Sequence, residues 1–87
     1  MSNIVAIASG DLALELALAG VRVEERTSLA DVETALDAYL QDPGQVTVVI
    51  VEDRYRNGFS DWFRERLRRH KGRPLVVYCP EFAMDEL

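Results

Sequence analysis

An open α/β fold with four parallel strands is the fold class that the sequence predicts. Two continuously apolar runs, Ile4–Ala8 and Val46–Val51, have the composition of central strands buried on both faces. Segments with helical periodicity alternate with the strand segments, which is typical of a parallel sheet with right-handed crossovers. With the first and third strands in the centre, we expect the strand order 2-1-3-4 and helices on both faces of the sheet.

The first helix is predicted over Leu12–Ala19, because leucine, alanine and glutamate are strong helix formers. We expect Asp11 to be its N-cap and Gly20 to end it. The second strand follows at Val21–Glu25, where apolar and charged residues alternate. One polar face and a short length are typical of an edge strand.

The leucines of the first helix fall on two faces when it is wound at about 100° per residue. Leu12, Leu16 and Ala19 make one face, and Leu14 and Leu18 lie nearly opposite. A surface helix of a small domain needs one apolar stripe to meet its core. The second stripe indicates a second contact: a partner, a neighbouring helix of the same domain, or plain exposure to solvent.

The second helix begins after Thr27 or Ser28, where Ser28 and Asp31 approximate a capping box. It carries a single apolar stripe, which consists of Leu29, Val32, Leu36, Tyr39 and Leu40. The turn at residues 42–44, Asp-Pro-Gly, ends this helix.

A third helix is predicted within Tyr55–His70, with its firm part starting near Ser60 because Asn57-Gly58 interrupts the pattern. Its apolar side consists of Tyr55, Phe59, Trp62, Phe63 and Leu67. The fourth strand is Leu75–Cys79. We expect residues 1–80 to form one domain, and 81–87 a short tail.

The net charge of −5 hides an asymmetry along the 87 residues. Up to Asp53 there are ten acidic and two basic residues, whereas Arg54–Arg73 holds eight basic and two acidic residues. A basic segment can bind nucleic acid, bind an acidic protein surface, or form a solvated helix face. The acidic remainder would repel phosphates, so we expect no nucleic-acid partner.

The cellular setting is indicated by what the chain lacks. No apolar run approaches the length of a membrane span, and no basic segment precedes the first apolar run. We therefore expect neither membrane insertion nor a signal peptide. The single cysteine, Cys79, fits a reducing cytosol.

Residue types that could take part in catalysis occur in the sequence without the partner residues that a catalytic site needs. Ser9-Gly10-Asp11 lies between a strand and a helix, where phosphates bind in nucleotide folds, but the chain has no complete phosphate-binding motif. His70 lacks triad or metal partners, and Cys79 is interpreted as a buried thiol. We expect no catalytic, cofactor-binding or metal-binding residue.

The chain resembles the F subunit of the archaeal and vacuolar-type (V/A-type) rotary ATPases. The likeness rests on Ser9-Gly10-Asp11, on Leu18-Ala19-Gly20-Val21 at the second strand, and on Ile50-Val51-Glu52-Asp53. It continues through the proline-bounded strand at residues 74–80. Members of this family usually continue into a C-terminal helix, whereas only seven residues follow Pro80 here.

The resemblance implies a Rossmann-like, non-catalytic central-stalk subunit that couples ATP synthesis or hydrolysis to transmembrane ion transport. It implies the coiled-coil D subunit of the rotor and other ATPase subunits as partners, and a cytoplasmic protein that is peripheral to the membrane. We expect the partner-binding side chains to be Leu14, Leu18, Tyr55, Arg64 and Arg68. The alternative is a receiver-like signalling domain phosphorylated on Asp53, at the end of the third strand.

Overall fold

A computed structural model of the protein describes residues 3–80. The strands are β1 (Ile4–Ala8), β2 (Arg22–Glu25), β3 (Val48–Glu52) and β4 (Leu75–Cys79). The helices are α1 (Gly10–Leu18), α2 (Leu29–Gln41) and α3 (Asp61–Arg69), and a 3₁₀ helix at Asp53–Gly58 precedes α3. The predicted tail at 81–87 lies outside the described residues.

All four strands pair in parallel in the order β2-β1-β3-β4, which confirms the predicted fold class and strand order. The main core lies between the sheet and the helices α2 and α3. It is built from Ile7, Val32, Leu36, Leu40, Val49, Val51, Tyr55, Phe59 and Phe63. A smaller cluster of Ala8, Leu12 and Ala13 joins α1 to the opposite face of the sheet. Helices therefore lie on both faces, as predicted.

The start of α1 differs from the prediction. The helix begins at Gly10, directly after the N-cap Ser9, and Asp11 lies in its first turn rather than at the cap. Gly10 has φ 62°, a conformation that glycine adopts without steric strain. This residue lets the chain reverse direction immediately after β1.

The start of β3 also differs from the prediction. Val46 donates its N–H to the carbonyl of Pro43 at 2.9 Å, so it closes the turn rather than pairing in the sheet. Thr47 N–H donates to the carbonyl of Asn3 at 2.8 Å, just ahead of the ladder that begins at Val48.

The cap of α2 and the start of α3 agree with the sequence, and α3 also has a serine cap. Ser28 precedes α2 and accepts a hydrogen bond from the N–H of Asp31 at 3.1 Å. Ser60 precedes α3 and accepts from the N–H of Phe63 at 3.2 Å. Both capping bonds satisfy an otherwise free helix N–H.

The aromatic stripe of α3 is only partly buried. Phe63 is fully buried and meets Phe59 edge-on, with 5.0 Å between the ring centroids. Trp62, which we predicted on the same apolar side, is 65% exposed. The prediction for Trp62 is wrong because it precedes Phe63 by one residue, about 100° round the helix from the side chain that enters the core.

The outer edge of β4 is bounded by prolines. Leu75 donates its N–H inward to the carbonyl of Thr47 at 2.8 Å. Successive residues of a strand point their amides to opposite sides, so Val76 and Tyr78 direct theirs to the outer edge.

The phenol of Tyr78 is partly buried. This burial raises the pKa of Tyr78 above the ordinary value of 10.0.

None of the helices within residues 3–80 has the length and apolar character needed to span a membrane.

Candidate functional site

The outer face of α1 is exposed. The helix packs on the sheet through Leu12 and Ala13, which are buried. Leu14 is 59% exposed and Leu18 is 78% exposed, on the side of the helix that faces away from the sheet. In the part of the chain that the structure describes, no neighbouring helix covers this face. Two large leucines one turn apart therefore form an apolar strip in solvent.

Tyr55 lies in the core, not on the surface. Its side chain is 8% exposed, and it belongs to the main hydrophobic cluster. The hydroxyl of Tyr55 lies 3.3 Å from Ser9 Oγ and donates to the carbonyl of Arg26 at 3.4 Å. We therefore leave Tyr55 out of the candidate partner-binding surface, because little of its side chain is free to meet another protein.

A buried carboxylate occupies the carboxyl edge of the sheet between β1 and β3. Glu52 is fully buried and accepts the N–H of Ser9 at 3.1 Å. The guanidinium of Arg54 lies over it, with Nε 2.5 Å from Glu52 Oε2 and Nη2 2.7 Å from Ser9 Oγ. Open α/β folds bind ligands at this strand edge. Here the protein's own carboxylate meets the amide beside the N-terminus of α1.

Sequence patterns indicate no role for Glu52 beyond ending an apolar strand. The signal that could have identified it is the position of an acid at the end of β3, beside the end of β1 that leads into α1. A carboxylate is stabilised near a helix N-terminus by the helix dipole. The Ser9 hydroxyl contacts Arg54 and Tyr55 instead, and makes no capping hydrogen bond to α1.

Replacing Glu52 by alanine is expected to lower the free energy of unfolding by about 2–4 kcal/mol, because the Ser9 N–H loses its acceptor and Arg54 its counter-charge. Glu52→Gln keeps an acceptor of the same shape, so we expect it to lose less than half as much. Urea denaturation at neutral pH measures both. A Glu52→Ala variant within about 0.5 kcal/mol of the parent would show that this cluster contributes little.

The other singly placed reactive residues have local partners. Asp53 pairs with Arg56 at 3.0 Å, at the start of the 3₁₀ helix. A ring nitrogen of His70 lies 2.8 Å from the carbonyl oxygen of Pro74. Cys79 is half-buried against the α1 cluster. Among residues 3–80, no group of three or more histidine, cysteine or acidic side chains could hold a metal ion.

The arginines of α3 are largely engaged within the domain. Arg68 and Arg69 both pair with Glu65, and hydrogen bonds and charge from Arg68 hold the pKa of Glu65 below its usual value. Arg66 pairs with Asp37 of α2 at 2.5 Å. Arg64 donates to the carbonyl of Asn57. Of the predicted partner residues on this helix, Arg64 and Arg68 are both exposed.

The chain shares its fold with a protein of known structure, the F subunit of the V-type ATP synthase of Archaeoglobus fulgidus. The two structures superpose with a TM-score of 0.73 over 87% of this chain and 94% of the other, at 23% sequence identity. At that identity the likeness establishes a common fold. No family model matches the chain, and no curated protein matches its sequence.

Proposed function

We propose that the protein is a non-catalytic central-stalk subunit of a V/A-type rotary ATPase. It would couple ATP synthesis or hydrolysis to transmembrane ion transport. The observation that carries this proposal is the fold shared with the F subunit of a V-type ATP synthase along most of both chains. The sequence features at Ser9-Gly10-Asp11 and Leu18-Ala19-Gly20-Val21 independently support the same assignment.

The internal pairing of the strand-end cluster supports a role without chemistry. In nucleotide-binding folds, amides at the first helix N-terminus are left free for phosphate. Here Ser9 N–H is bonded to Glu52, whose charge is in turn balanced by Arg54. The amide next to the helix N-terminus is thus used to hold β1, β3 and α1 together, and the carboxylate that accepts it would repel a phosphate there.

The proposed partner is the coiled-coil D subunit of the rotor, together with other subunits of the ATPase. Leu14 and Leu18 supply the apolar strip that such a helical partner requires, since helices recognise one another through apolar residues one turn apart. Arg64 and Arg68 lie on α3, on the other side of the sheet, where they would contact another part of the complex. The protein would be cytoplasmic and reach the membrane only through the complex.

Co-expression with the D subunit of the same organism tests the proposal. We expect a complex of one copy of each chain that survives size-exclusion chromatography, with a dissociation constant below about 1 μM. The D subunit of an unrelated rotary ATPase serves as the specificity control. Failure of the purified pair to associate at about 10 μM would overturn the proposed function.

A further inference from the structure

A groove of about 700 Å³ lies between α2 and α3, on the face of the sheet opposite α1. Asp37 and Gln41 line it on α2, and Trp62, Arg66 and Arg69 line it on α3. The three residues of α3 follow one another at intervals of four and three, so they share one flank of the helix. This groove is therefore separate from the outer face of α1, where the proposed rotor partner would bind.

The floor of the groove is fixed by polar bonds between the two helices. Arg66 Nε lies 2.5 Å from Asp37 Oδ1, and Gln41 donates to Asp37 Oδ2 at 2.6 Å. At the start of α3, the N–H of Ser60 donates to Glu33 Oε2 at 2.7 Å. A surface that is already ordered loses less conformational entropy when it binds a partner.

Trp62 is the largest exposed side chain of this groove. Its indole is 65% exposed, yet it stacks beside the fully buried ring of Phe63, with 6.0 Å between the ring centroids and 27° between the ring planes. The core therefore positions the indole while most of its surface meets solvent. Tryptophan and arginine are enriched among the residues that dominate protein–protein binding, so their combination here indicates an interaction surface.

The excess charge of the groove is positive and lies on its α3 wall. The ion pair that joins the two walls contributes no net charge. Glu65 is shared by Arg68 and Arg69, which leaves one positive charge in excess. Lys71, two residues after the helix, lines the same end of the groove and adds a second positive charge. A ligand that complements this wall carries negative charge.

We propose that the groove binds an acidic amphipathic helix of a second protein. Helical segments lie in grooves of this kind and present an apolar stripe to them. Trp62 and Arg69 are separated by two turns, or about 10.5 Å, along α3. A partner helix that runs along α3 would place an apolar side chain on Trp62 and, two turns away, a glutamate or aspartate beside Arg69 and Lys71. Both this groove and the outer face of α1 could then be occupied at once.

Other occupants fit the groove less well. The phosphates of a nucleic acid would be repelled by a chain that carries a net charge of −5. A second copy of the chain could offer its acidic helix α1, which carries Asp11 and Glu15. Joining α1 of one copy to the groove of the next makes a head-to-tail contact, which closes into a ring or continues into an open filament. It would also cover the face that is proposed to meet the rotor.

The single tryptophan of the chain makes the groove directly observable. The probe is a synthetic helix of about five turns with a leucine stripe flanked by glutamates. We expect it to shift the emission of Trp62 to shorter wavelength, with a dissociation constant below about 100 μM. Added salt should weaken the complex, because the charges are exposed. A control peptide with lysine in place of every glutamate should bind at least about 10-fold more weakly.

Two charge reversals on α3 locate the contact. We expect Arg69→Glu to weaken binding of the acidic peptide at least about 10-fold, measured by the fluorescence anisotropy of labelled peptide. Arg64→Glu is the matched control, because it makes the same charge change on the same helix, about 140° round from Arg69. It should alter binding by less than about 3-fold. Trp62→Ala should weaken binding more than Trp62→Phe, which keeps an aromatic ring, and thermal unfolding checks that each variant folds.

Several results of these measurements would overturn the inference. Unchanged emission of Trp62 at about 1 mM acidic peptide would show that the groove binds no such helix. Equal binding of the acidic and basic peptides, or equal losses in Arg69→Glu and Arg64→Glu, would show that the α3 wall does not select the ligand. None of these measurements uses the D subunit, so the proposed function and this inference can fail separately.

Three other occupants would also contradict the proposal. Tighter binding of a single-stranded oligonucleotide than of the acidic peptide would assign the groove to nucleic acid. Self-association of the free protein that Arg69→Glu abolishes, seen by sedimentation, would assign it to a second copy. A shift of Trp62 emission to longer wavelength after deletion of residues 81–87 would show that the chain fills the groove itself.

Discussion

Replacing Leu14 and Leu18 together by glutamate is expected to weaken binding to the coiled-coil rotor partner by at least about 100-fold, or roughly 2.7 kcal/mol. Both side chains are mostly exposed in the free domain, at 59% and 78%, so the substitution removes little internal packing. In the complex it would place two carboxylates in an apolar contact and beside the acids of α1, where burial of an unpaired charge is strongly unfavourable. Titration calorimetry of the purified chains measures the change.

The matched control for this variant is Trp62→Glu. It makes the same kind of change at one position, from a large exposed apolar side chain to a carboxylate, but on α3, on the other face of the sheet. We expect the melting temperatures of both variants to stay within about 8 °C of the parent, the shift that a loss of about 1 kcal/mol produces in a domain of this size. Equal binding by the Leu14/Leu18 variant and the parent would exclude the outer face of α1 from the interface. A similar loss of binding in Trp62→Glu would move the interface to α3.

Truncation of Phe63 to alanine is expected to lower the free energy of unfolding by about 3–5 kcal/mol. Its ring is fully buried in the main core and packs edge-on against Phe59. The short helix α3 has few other apolar residues facing the sheet. Few neighbouring side chains can therefore move into the cavity that the lost ring leaves. Against a typical domain stability of about 5–15 kcal/mol, such a loss is severe. Urea denaturation followed by circular dichroism measures it.

Trp62→Ala tests whether the stability lost on removing an aromatic side chain of α3 depends on how deeply that side chain is buried. The indole lies stacked beside Phe63, with 6.0 Å between the ring centroids, yet 65% of its surface is exposed. We therefore expect a loss of no more than about 1 kcal/mol. Comparable losses for the two variants would mean that Trp62 belongs to the core, as the helical stripe alone had indicated.

The strands could be predicted from sequence because their burial pattern is unambiguous. β1 and β4 have the predicted limits, and the order of the sheet follows from the two continuously apolar runs. Capping by Ser28 was equally predictable, since this serine immediately precedes its helix, and the predicted start of the third helix near Ser60 agrees with the structure. These features depend on neighbours in the chain, which a sequence displays directly.

The features that could not be predicted depend on residues far apart in sequence. Ser9 and Glu52 are 43 positions apart, and only the β1–β3 pairing brings the amide to the carboxylate. Tyr55 was predicted both on the apolar side of the third helix and among the partner-binding residues, and the 3₁₀ helix places its ring in the core. The exposure of Trp62 depends on how α3 is rotated against the sheet, and one residue of rotation decides which aromatic ring is buried.

The two prolines that bound β4 have a consequence for the protein before it finds a partner. An exposed sheet edge is a template on which identical strands can add and propagate into fibrils. Pro74 and Pro80 have no N–H, so only Val76 and Tyr78 within this stretch direct a donor to the outer edge. A strand from another molecule would find too few bonds to extend the sheet. We expect a newly made chain to resist self-aggregation at this edge while the outer face of α1 stays available for assembly.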